Sequence, residues 1–443
     1  MRHALVLLVL STSVASATPL AQKWRSAGCP DFGVVRTDKE LAFADRKTKT
    51  IVRRDIATGK LLAPIKLATK RPNLMAWLGD TLVISEYASA VGVFSGIDAM
   101  GKSKWKNVKA HKALALEMDL ATALSTKDKV TVQRIAGATG KATWTATVPG
   151  SGTLLSFEAD PAHVVVGISD EKGKTFTVSV LDARTGTAAW TSKLPFKTYR
   201  GALLDSAAVI VDEPTQNTAA TAFHILDRAT GKLVGKVEYK NAFPALAGGG
   251  RLFIGANDLD KSTGAVIAVN TRTAKPEWTI KTPAMFEKFY GFGAGGLAAN
   301  LGNDMLRILD MTNGKILTTY GLASAGEFSG LATGSPAITL CDDRDLVALD
   351  AGGTDESAKI SGTIACKNCD ARSFPVRIGD VTGKTDDKGR FTLTVVGAGR
   401  FAIRIPHEEN GDRLGDPGKF VLLAGKGTYD VGTLKVEIEP LGD

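Results

Sequence analysis

The chain has 443 residues, of which 44% are apolar and 47 are glycine, and its formal net charge is +9. The apolar residues stand in short runs, which excludes long amphipathic helices and membrane-spanning helices as its main elements. The charge is concentrated near the start, where residues 18–112 hold 18 Lys/Arg against 8 Asp/Glu. A basic segment of this kind favours an acidic partner.

The first seventeen residues have the features of an export signal. Arg2 and His3 form a basic start, residues 4–10 are apolar, and Ala15 and Ala17 supply small residues for a cleavage site. We therefore expect residues 1–17 to be removed and the mature protein to be periplasmic or secreted, without a transmembrane segment. No cysteine stands at the expected cleavage point, so no lipid anchor is expected. A nucleic acid partner is not expected in that compartment.

A repeat of about 40 residues runs through most of residues 18–358. Each unit is an alternating strand that ends in Asp, followed by two residues, Thr-Gly-Lys and often Trp. This pattern is typical of a hairpin turn, because Asp bonds the turn backbone and Gly adopts a positive φ. Eight copies of the turn are recognisable, around Gly59, Gly101, Gly140, Gly186, Gly231, Ala274, Gly314 and Gly352.

Each unit has room for four short strands. In the fourth unit we place them at residues 154–159, 163–169, 176–183 and 188–194. Four strands in about 40 residues are typical of one β-propeller blade, and such blades stack in a ring. The predicted fold is therefore all-β, with an eight-bladed propeller over residues 18–358. Seven blades are the alternative, if the last unit only completes the first.

A tryptophan follows the turn glycine by four residues in several units. Since its place in the repeat is fixed, we predict that its ring packs between neighbouring blades, with ligand stacking as the alternative. The residues concerned are Trp105, Trp144, Trp190 and Trp278.

The pattern Asp-x-x-Thr-Gly-Lys-x-x-Trp resembles the pyrroloquinoline-quinone-type propeller repeat, over about residues 31–358. The resemblance implies an eight-bladed ring. Methanol-dehydrogenase-type members carry adjacent cysteines beside a quinone cofactor, and no two cysteines are adjacent here. We therefore expect no cofactor. Members without cofactor residues resemble the periplasmic propeller of the outer-membrane β-barrel assembly machinery, which implies a scaffold that presents loops and strand edges to proteins.

Residues 359–443 lack the repeat and alternate over short stretches, which predicts a small β-sandwich. The segments around Gly362, Pro375, Gly389 and Gly399 resemble the carboxypeptidase-regulatory-like, transthyretin-like sandwich. That resemblance implies an accessory or adhesive module without an active site.

The four cysteines of an exported chain are expected to form disulfides. They are Cys29, Cys341, Cys366 and Cys369. Cys366 and Cys369 can close locally, which leaves Cys29 for Cys341, while two other pairings stay open. A redox or metal site at Cys366 and Cys369 is a further alternative to a structural bridge.

No catalytic or metal-binding motif is recognisable in the sequence. The histidines are widely separated, and neither a His-Glu-x-x-His motif nor a Gly-x-Ser-x-Gly motif occurs. One loop alternates like a calcium loop, through Glu408, Asn410, Asp412 and Asp416. It lacks the glycine and the glutamate that an EF-hand needs at its sixth and twelfth places, so we predict a polar loop.

The densest basic run comprises Lys102, Lys104, Lys106, Lys109, His111 and Lys112. It is either a solvated outer strand or a patch for an anionic partner. We predict an exported, non-catalytic, monomeric binding propeller, whose partner is an envelope or extracellular protein or an anionic cell-surface polymer. The alternatives are a quinoprotein-like or hydrolytic enzyme and a surface carbohydrate-binding adhesin.

Overall fold

The computed structural model describes residues 20–440 apart from 29–34, 38, 46, 68–72, 88–89, 151, 171, 173, 199–200, 215–219, 283, 294–295, 302–304, 323–336, 343–344, 352–356, 368–370, 406–407, 410–411, 415–418 and 424–425. The predicted signal segment and the loop predicted around Asn410 and Asp416 lie outside the described residues. Within them every element is a strand. The described residues therefore offer no helix that is long and apolar enough to cross a membrane.

The strands follow one another in groups of four after an initial single strand. In chain order they are β1 (Leu20–Ala27), β2 (Val35–Arg36), β3 (Glu40–Asp45), β4 (Thr50–Asp55), β5 (Leu61–Lys66), β6 (Asn73–Leu78), β7 (Thr81–Tyr87), β8 (Gly92–Ile97), β9 (Ser103–Ala110), β10 (Lys112–Leu116), β11 (Asp119–Ser125), β12 (Lys129–Ala136), β13 (Ala142–Pro149), β14 (Thr153–Ala159), β15 (His163–Ser169), β16 (Phe176–Asp182), β17 (Ala188–Leu194), β18 (Ala202–Leu204), β19 (Ala208–Pro214), β20 (Ala220–Asp227) and β21 (Leu233–Lys240).

The remaining strands complete the groups of four and add a C-terminal set. They are β22 (Ala242–Gly248), β23 (Arg251–Asp258), β24 (Thr263–Asn270), β25 (Lys275–Thr282), β26 (Lys288–Gly293), β27 (Gly296–Asn300), β28 (Met305–Leu309), β29 (Ile316–Gly321), β30 (Ala337–Asp342), β31 (Asp345–Ala351), β32 (Ser357–Lys367), β33 (Pro375–Ile378), β34 (Val381–Lys384), β35 (Arg390–Val396), β36 (Ala398–Arg404), β37 (Glu408–Glu409), β38 (Asp412–Leu414), β39 (Phe420–Leu423) and β40 (Gly427–Pro440).

Each group of four is an antiparallel meander in chain order. The first strands of successive groups, from β2 to β26, contact one another. Most hydrophobic clusters join two neighbouring groups; one contains Val148 of one sheet and Phe157 of the next. These sheets therefore stand radially around a common axis, as in a β-propeller. The strands that we predicted in the fourth unit agree with the observed ones within one residue.

Burial is highest in the middle strands of each meander and lowest in the fourth strand. In β15 every residue after His163 is buried, whereas no residue of β21 is buried. A middle strand is covered on both faces by neighbouring sheets, while the fourth strand lies at the rim with one edge unpaired within its meander. The fourth strands of the meanders are called the outer strands below.

The ends of the ring meet in a three-stranded sheet with the order β1–β31–β30. β1 takes the place of the outer strand, and its Trp24 joins a cluster with Leu346 and with Leu41 of the first meander. Val347 packs in a cluster with Leu306 of the preceding meander. The N-terminal strand thus completes the last sheet, and the two ends of the chain segment close the ring. The choice between eight and seven blades stays a prediction, since residues 323–336 lie outside the described residues.

The C-terminal unit (β32–β40) has two sheets around one core. One sheet has the order β35–β32–β40–β38–β37, and the other contains β33, β34, β36 and β39. Ile360 and Leu393 of the first sheet share the core with Val376 and Ile403 of the second. The second sheet continues the ring, because β36 pairs in parallel with β29 through Tyr320 opposite Ala398.

Candidate interaction surfaces of the ring

The predicted tryptophans lie at the start of outer strands and pack against the turn of the next sheet. The indole nitrogen of Trp105 donates a hydrogen bond of 2.7 Å to the carbonyl oxygen of Gly137. A methyl group added to Gly140 would lie 2.5 Å from the Trp105 ring. The absence of a side chain at the turn glycine therefore makes room for the ring of the preceding sheet, which no other residue type would permit without movement.

The same contact recurs three times around the ring. Trp144, Trp190 and Trp278 donate to the carbonyl oxygens of Ala183, Arg228 and Met311 at 3.0, 2.7 and 3.0 Å. Methyl groups on Gly186, Gly231 and Gly314 would lie 2.5, 2.6 and 2.7 Å from those rings. In every copy the carbonyl belongs to the third residue before the glycine. We call this arrangement the indole–glycine contact.

A fifth copy was not predicted from the sequence. Trp24 of β1 donates to the carbonyl oxygen of Ile56 at 3.0 Å, and a methyl group on Gly59 would lie 2.6 Å from its ring. The sequence gives no glycine four residues before Trp24, so the residue did not register as part of the repeat. Two features could have indicated this contact: Trp24 comes before the first repeated turn, and that turn, at Gly59, has no tryptophan four residues later.

One interface replaces both partners of the contact. Gly235 stands where the tryptophan would be, four residues after Gly231, and Ala274 stands where the glycine would be. Ala274 keeps the positive φ of the turn, at 51°. A methyl group on Gly235 would lie 2.5 Å from the β-carbon of Ala274. The smaller residue, Gly235, thus lies on the outer strand and the larger one, Ala274, lies in the turn. The two sheets therefore pack closely here without an indole.

The predicted basic residues divide between two strands. Lys104, Lys106 and Lys109 lie on the outer strand β9, and we call these three the lysine strand. Lys106 and Lys109 are exposed. Lys104 instead donates to Asp80 at 2.6 Å, and its side chain is 23% exposed. A β-bulge at Lys106 and Asn107 interrupts the pairing of β9 with β8 and bends β9 at this point. The φ of Asn107 is 71°.

Two of the five predicted lysines stand apart from the lysine strand. Lys102 occupies the lysine position of the repeated turn, as Lys60, Lys141, Lys232, Lys275 and Lys315 do in other units. Lys112 begins β10, an inner strand of the next meander. The five lysines are close together in the sequence, but they do not form one continuous surface patch.

Lys112 lies near a half-buried acid, Glu158, on an inner strand of the ring. Burial raises the pKa of Glu158 on the adjacent inner strand β14, and the charge of Lys112 opposes that shift. Lys288 begins the inner strand β26, with its ammonium nitrogen 5.0 Å from the ring centroid of Tyr290. Burial lowers the pKa of Lys288, and Glu287 opposes the shift. The inner strands thus carry ionisable groups that motif analysis did not identify.

Among the described residues, no group of three or more His, Cys, Asp or Glu side chains is placed to hold a metal ion. Cys366 is disulfide-bonded. Cys29, Cys369 and the side chain of Cys341 lie outside the described residues, so the predicted pairing stays a prediction. The charged residues near the repeated turns form contacts between sheets instead: Arg228 lies 2.5 Å from Asp160, and Thr271 donates to Asp205 at 2.7 Å.

Known proteins share the fold but little sequence. The Dos1 propeller has a TM-score of 0.52 and 12% identity, with 76% of this chain and 96% of that chain covered. Quinohemoprotein alcohol dehydrogenase from Comamonas testosteroni has a TM-score of 0.51 and 10% identity, with 76% and 77% covered. BamB from Moraxella catarrhalis has a TM-score of 0.48 and 16% identity, with 75% and 97% covered.

Scans of family models and of curated proteins find no match to this sequence. The first two structural matches agree with the all-β propeller fold seen in the sheets. Since all three identities are far below 25%, the likeness shows the fold and no activity.

Proposed function

We propose that this chain is an exported, non-catalytic propeller that binds an anionic partner of the cell envelope, either a polymer or an acidic protein surface. The lysine strand carries the proposal. Among the described outer strands, β9 alone combines three lysines with no acidic residue. Lys106 and Lys109 are exposed, and the described residues contain no ion pair with either of them.

A different physical role for the same lysines is protection of the strand edge. Lysines on an outer strand discourage edge-to-edge pairing between molecules, and the bulge at Asn107 works in the same direction. Salt distinguishes anion binding from edge protection. Only anion binding depends on attraction between the lysines and a separate anionic partner, so the affinity for that partner should fall as salt rises. Exposed charges separated by more than about 8 Å are largely screened at physiological ionic strength.

The decisive experiment compares two pairs of lysines on two outer strands. Lys106→Gln with Lys109→Gln removes the free charges of β9, and Lys236→Gln with Lys240→Gln removes the same charge from β21. Binding to lipopolysaccharide and to lipoteichoic acid is measured for both variants and the parent across a salt series. We expect parental binding to weaken steeply with salt and the β9 variant alone to lose affinity.

Unchanged affinity together with lower solubility of the β9 variant would assign the lysines to edge protection and contradict the proposal. The non-catalytic part is tested separately on the purified protein, by an absorbance spectrum and metal analysis. A bound quinone or a stoichiometric metal would favour an enzyme instead.

A further inference from the structure

The C-terminal unit contacts the ring through one of its two sheets. β36 extends the sheet of β29, and Asp380 at the β33–β34 turn forms an ion pair with Arg307 of β28. The other sheet, centred on β32, lies across the C-terminal core from this contact. Its outer face is therefore left without a role in holding the unit to the ring.

The central part of this outer face carries two rows of polar side chains. β32 pairs with β35 on one side and with β40 on the other, which aligns Thr392, Ser361 and Asp430 across three strands. The next row along the strands contains Arg390, Thr363 and Thr433. Burial alternates regularly along β35, so Thr392 is exposed while Phe391 and Leu393 enter the core.

A groove of about 730 Å³ is lined by the members of these rows other than Thr433, and Lys384 of β34 also lines it. This volume is within the range of small-molecule sites, about 300–1,000 Å³. Gly362 at a β-bulge forms part of its lining: a methyl group there would lie 2.6 Å from Val431 and 2.9 Å from the ring of Phe391. The missing side chain makes room for Val431 and Phe391 on the core side of the sheet, so Gly362 lines the groove with its backbone.

The charges in the groove balance one another. Arg390 is bound to Asp386 at 2.8 Å through Nε and at 2.7 Å through Nη2, and this hydrogen bonding holds the pKa of Asp386 at about 2. Lys384 and Asp430 then contribute one charge of each sign. Asp430 accepts a hydrogen bond from the Gly432 amide at 2.9 Å through Oδ1. Its Oδ2 has no hydrogen-bond partner among the described residues.

We propose that this groove binds a neutral glycan. Threonine and serine hydroxyls both donate and accept hydrogen bonds, as sugar hydroxyls do, while a carboxylate accepts and an ammonium group donates. Balanced charge gives no preference for a polyanion. The site lies on a different part of the chain from the lysine strand, so the inference goes beyond the proposed function.

The test uses the full-length mature protein and an array of neutral and acidic glycans, followed by affinity measurements on the neutral glycan retained best. Thr392→Val removes a hydroxyl that lines the groove, and Thr394→Val removes one from the same strand and face outside it. A combined Thr392→Val and Asp430→Asn variant should weaken binding about tenfold or more, since each lost hydrogen bond removes a several-fold factor. Thr394→Val should bind as the parent does.

The inference is overturned if no neutral glycan is retained, or if only acidic glycans are retained. It is also overturned if Thr394→Val weakens binding as much as Thr392→Val does. The Lys106→Gln and Lys109→Gln variant should keep its affinity for the neutral glycan. A loss there would place glycan binding on the ring and contradict the groove.

Discussion

A single tryptophan side chain makes two different contacts with the neighbouring sheet. The indole nitrogen satisfies a turn carbonyl, and the ring fills the space above a glycine that has no β-carbon. The turn glycine also needs a positive φ, which is 68° at Gly231. Glycine thus meets two requirements of the turn, the positive φ and the space for the indole ring. The pairing of this glycine with a tryptophan recurs in several sheets of this chain.

We predict that Trp190 and Gly231 are energetically coupled. Trp190→Ala should cost about 3–5 kcal/mol of unfolding free energy, as truncation of a packed tryptophan does. Gly231→Ala should cost more in the parent than in the Trp190→Ala background, by about 0.5–3 kcal/mol, because the added methyl group meets the ring only when it is present. Denaturant unfolding of the four variants measures this difference.

The control for this cycle is Gly250→Ala. Gly250 also has a positive φ, at 77°, but an added methyl group would meet no atom within 4 Å. Its substitution should cost about 1–2 kcal/mol from the backbone conformation alone, and equally in both backgrounds. Equal costs for Gly231→Ala in both backgrounds would show that the ring does not press on the turn.

A second residue-scale prediction concerns the half-buried acid Glu158. Burial raises the folded-state pKa of Glu158 above 4.5, so the unfolded chain ionises first as pH rises. Stability is therefore lost as pH rises from 4.5 to the folded-state pKa and stays lower above it. Glu158→Gln should raise the melting temperature at pH 7 and leave it unchanged below pH 4.5.

The matched change is Glu238→Gln on the outer strand β21, where the carboxylate side chain is 50% exposed. It should leave the melting temperature nearly unchanged at both pH values. A Glu158→Gln variant that melts below the parent at pH 7 would show that the acid makes a favourable interaction with Lys112 that outweighs its burial.

At the scale of strands, the repeated meander was predictable and the closing strand was not. Alternation and the Asp-to-Gly turn define four strands locally, and the bounds of β15 and β17 agree with the prediction. β1 has no turn of its own, since its partner β31 lies at the other end of the ring. Pairing between distant segments leaves no local pattern in the sequence.

At the candidate sites too, sequence separation was a poor guide to which residues lie together in the fold. Sequence proximity grouped Lys112 with Lys109, but the chain passes from an outer strand to an inner strand between them. The polar rows on the outer face of the C-terminal unit were also missed. Thr392, Ser361 and Asp430 are far apart in sequence and meet only through the register of three strands.

At the scale of elements, the Cys29–Cys341 disulfide stays a prediction, and its test concerns the end of the closing sheet. Ser26, three residues before Cys29, lies opposite Leu346, which lies opposite Cys341. A bridge there would close a very long loop, and a loop of about 100 residues is already worth about 4.7 kcal/mol in the chain-entropy model. Peptide mapping without reduction should recover Cys29 with Cys341, and recovery of either one with Cys366 or Cys369 would contradict the pairing.

At the scale of the whole molecule, the ring and the C-terminal unit are joined by a common sheet and by a shared core residue. Met305 belongs to β28 of the ring, yet its side chain is buried in the C-terminal core with Phe401. The pairing of β29 with β36 continues one sheet from the ring into the C-terminal unit. We therefore predict that the two unfold together, in a single transition by differential scanning calorimetry.

Met305→Ala should lower that transition as a whole, at a cost of about 2–5 kcal/mol for a truncated core residue. Met100→Ala is the matched control, because Met100 is 85% exposed in a turn of the ring. Two separate transitions in the parent, or a Met305→Ala variant in which only one of two transitions moves, would show that the C-terminal unit is an independent domain.

Closure of the ring by β1 also constrains the order of events during folding. Arg25 of β1 reaches Asp345 of β31 across 320 positions of sequence. The strand that is made first can find its partner only after the other meanders have been made, and such distant pairings are slow to form. Until then β31 presents an open edge to other chains. Refolding yield should consequently fall as protein concentration rises, since intermolecular pairing competes with closure for the same edge.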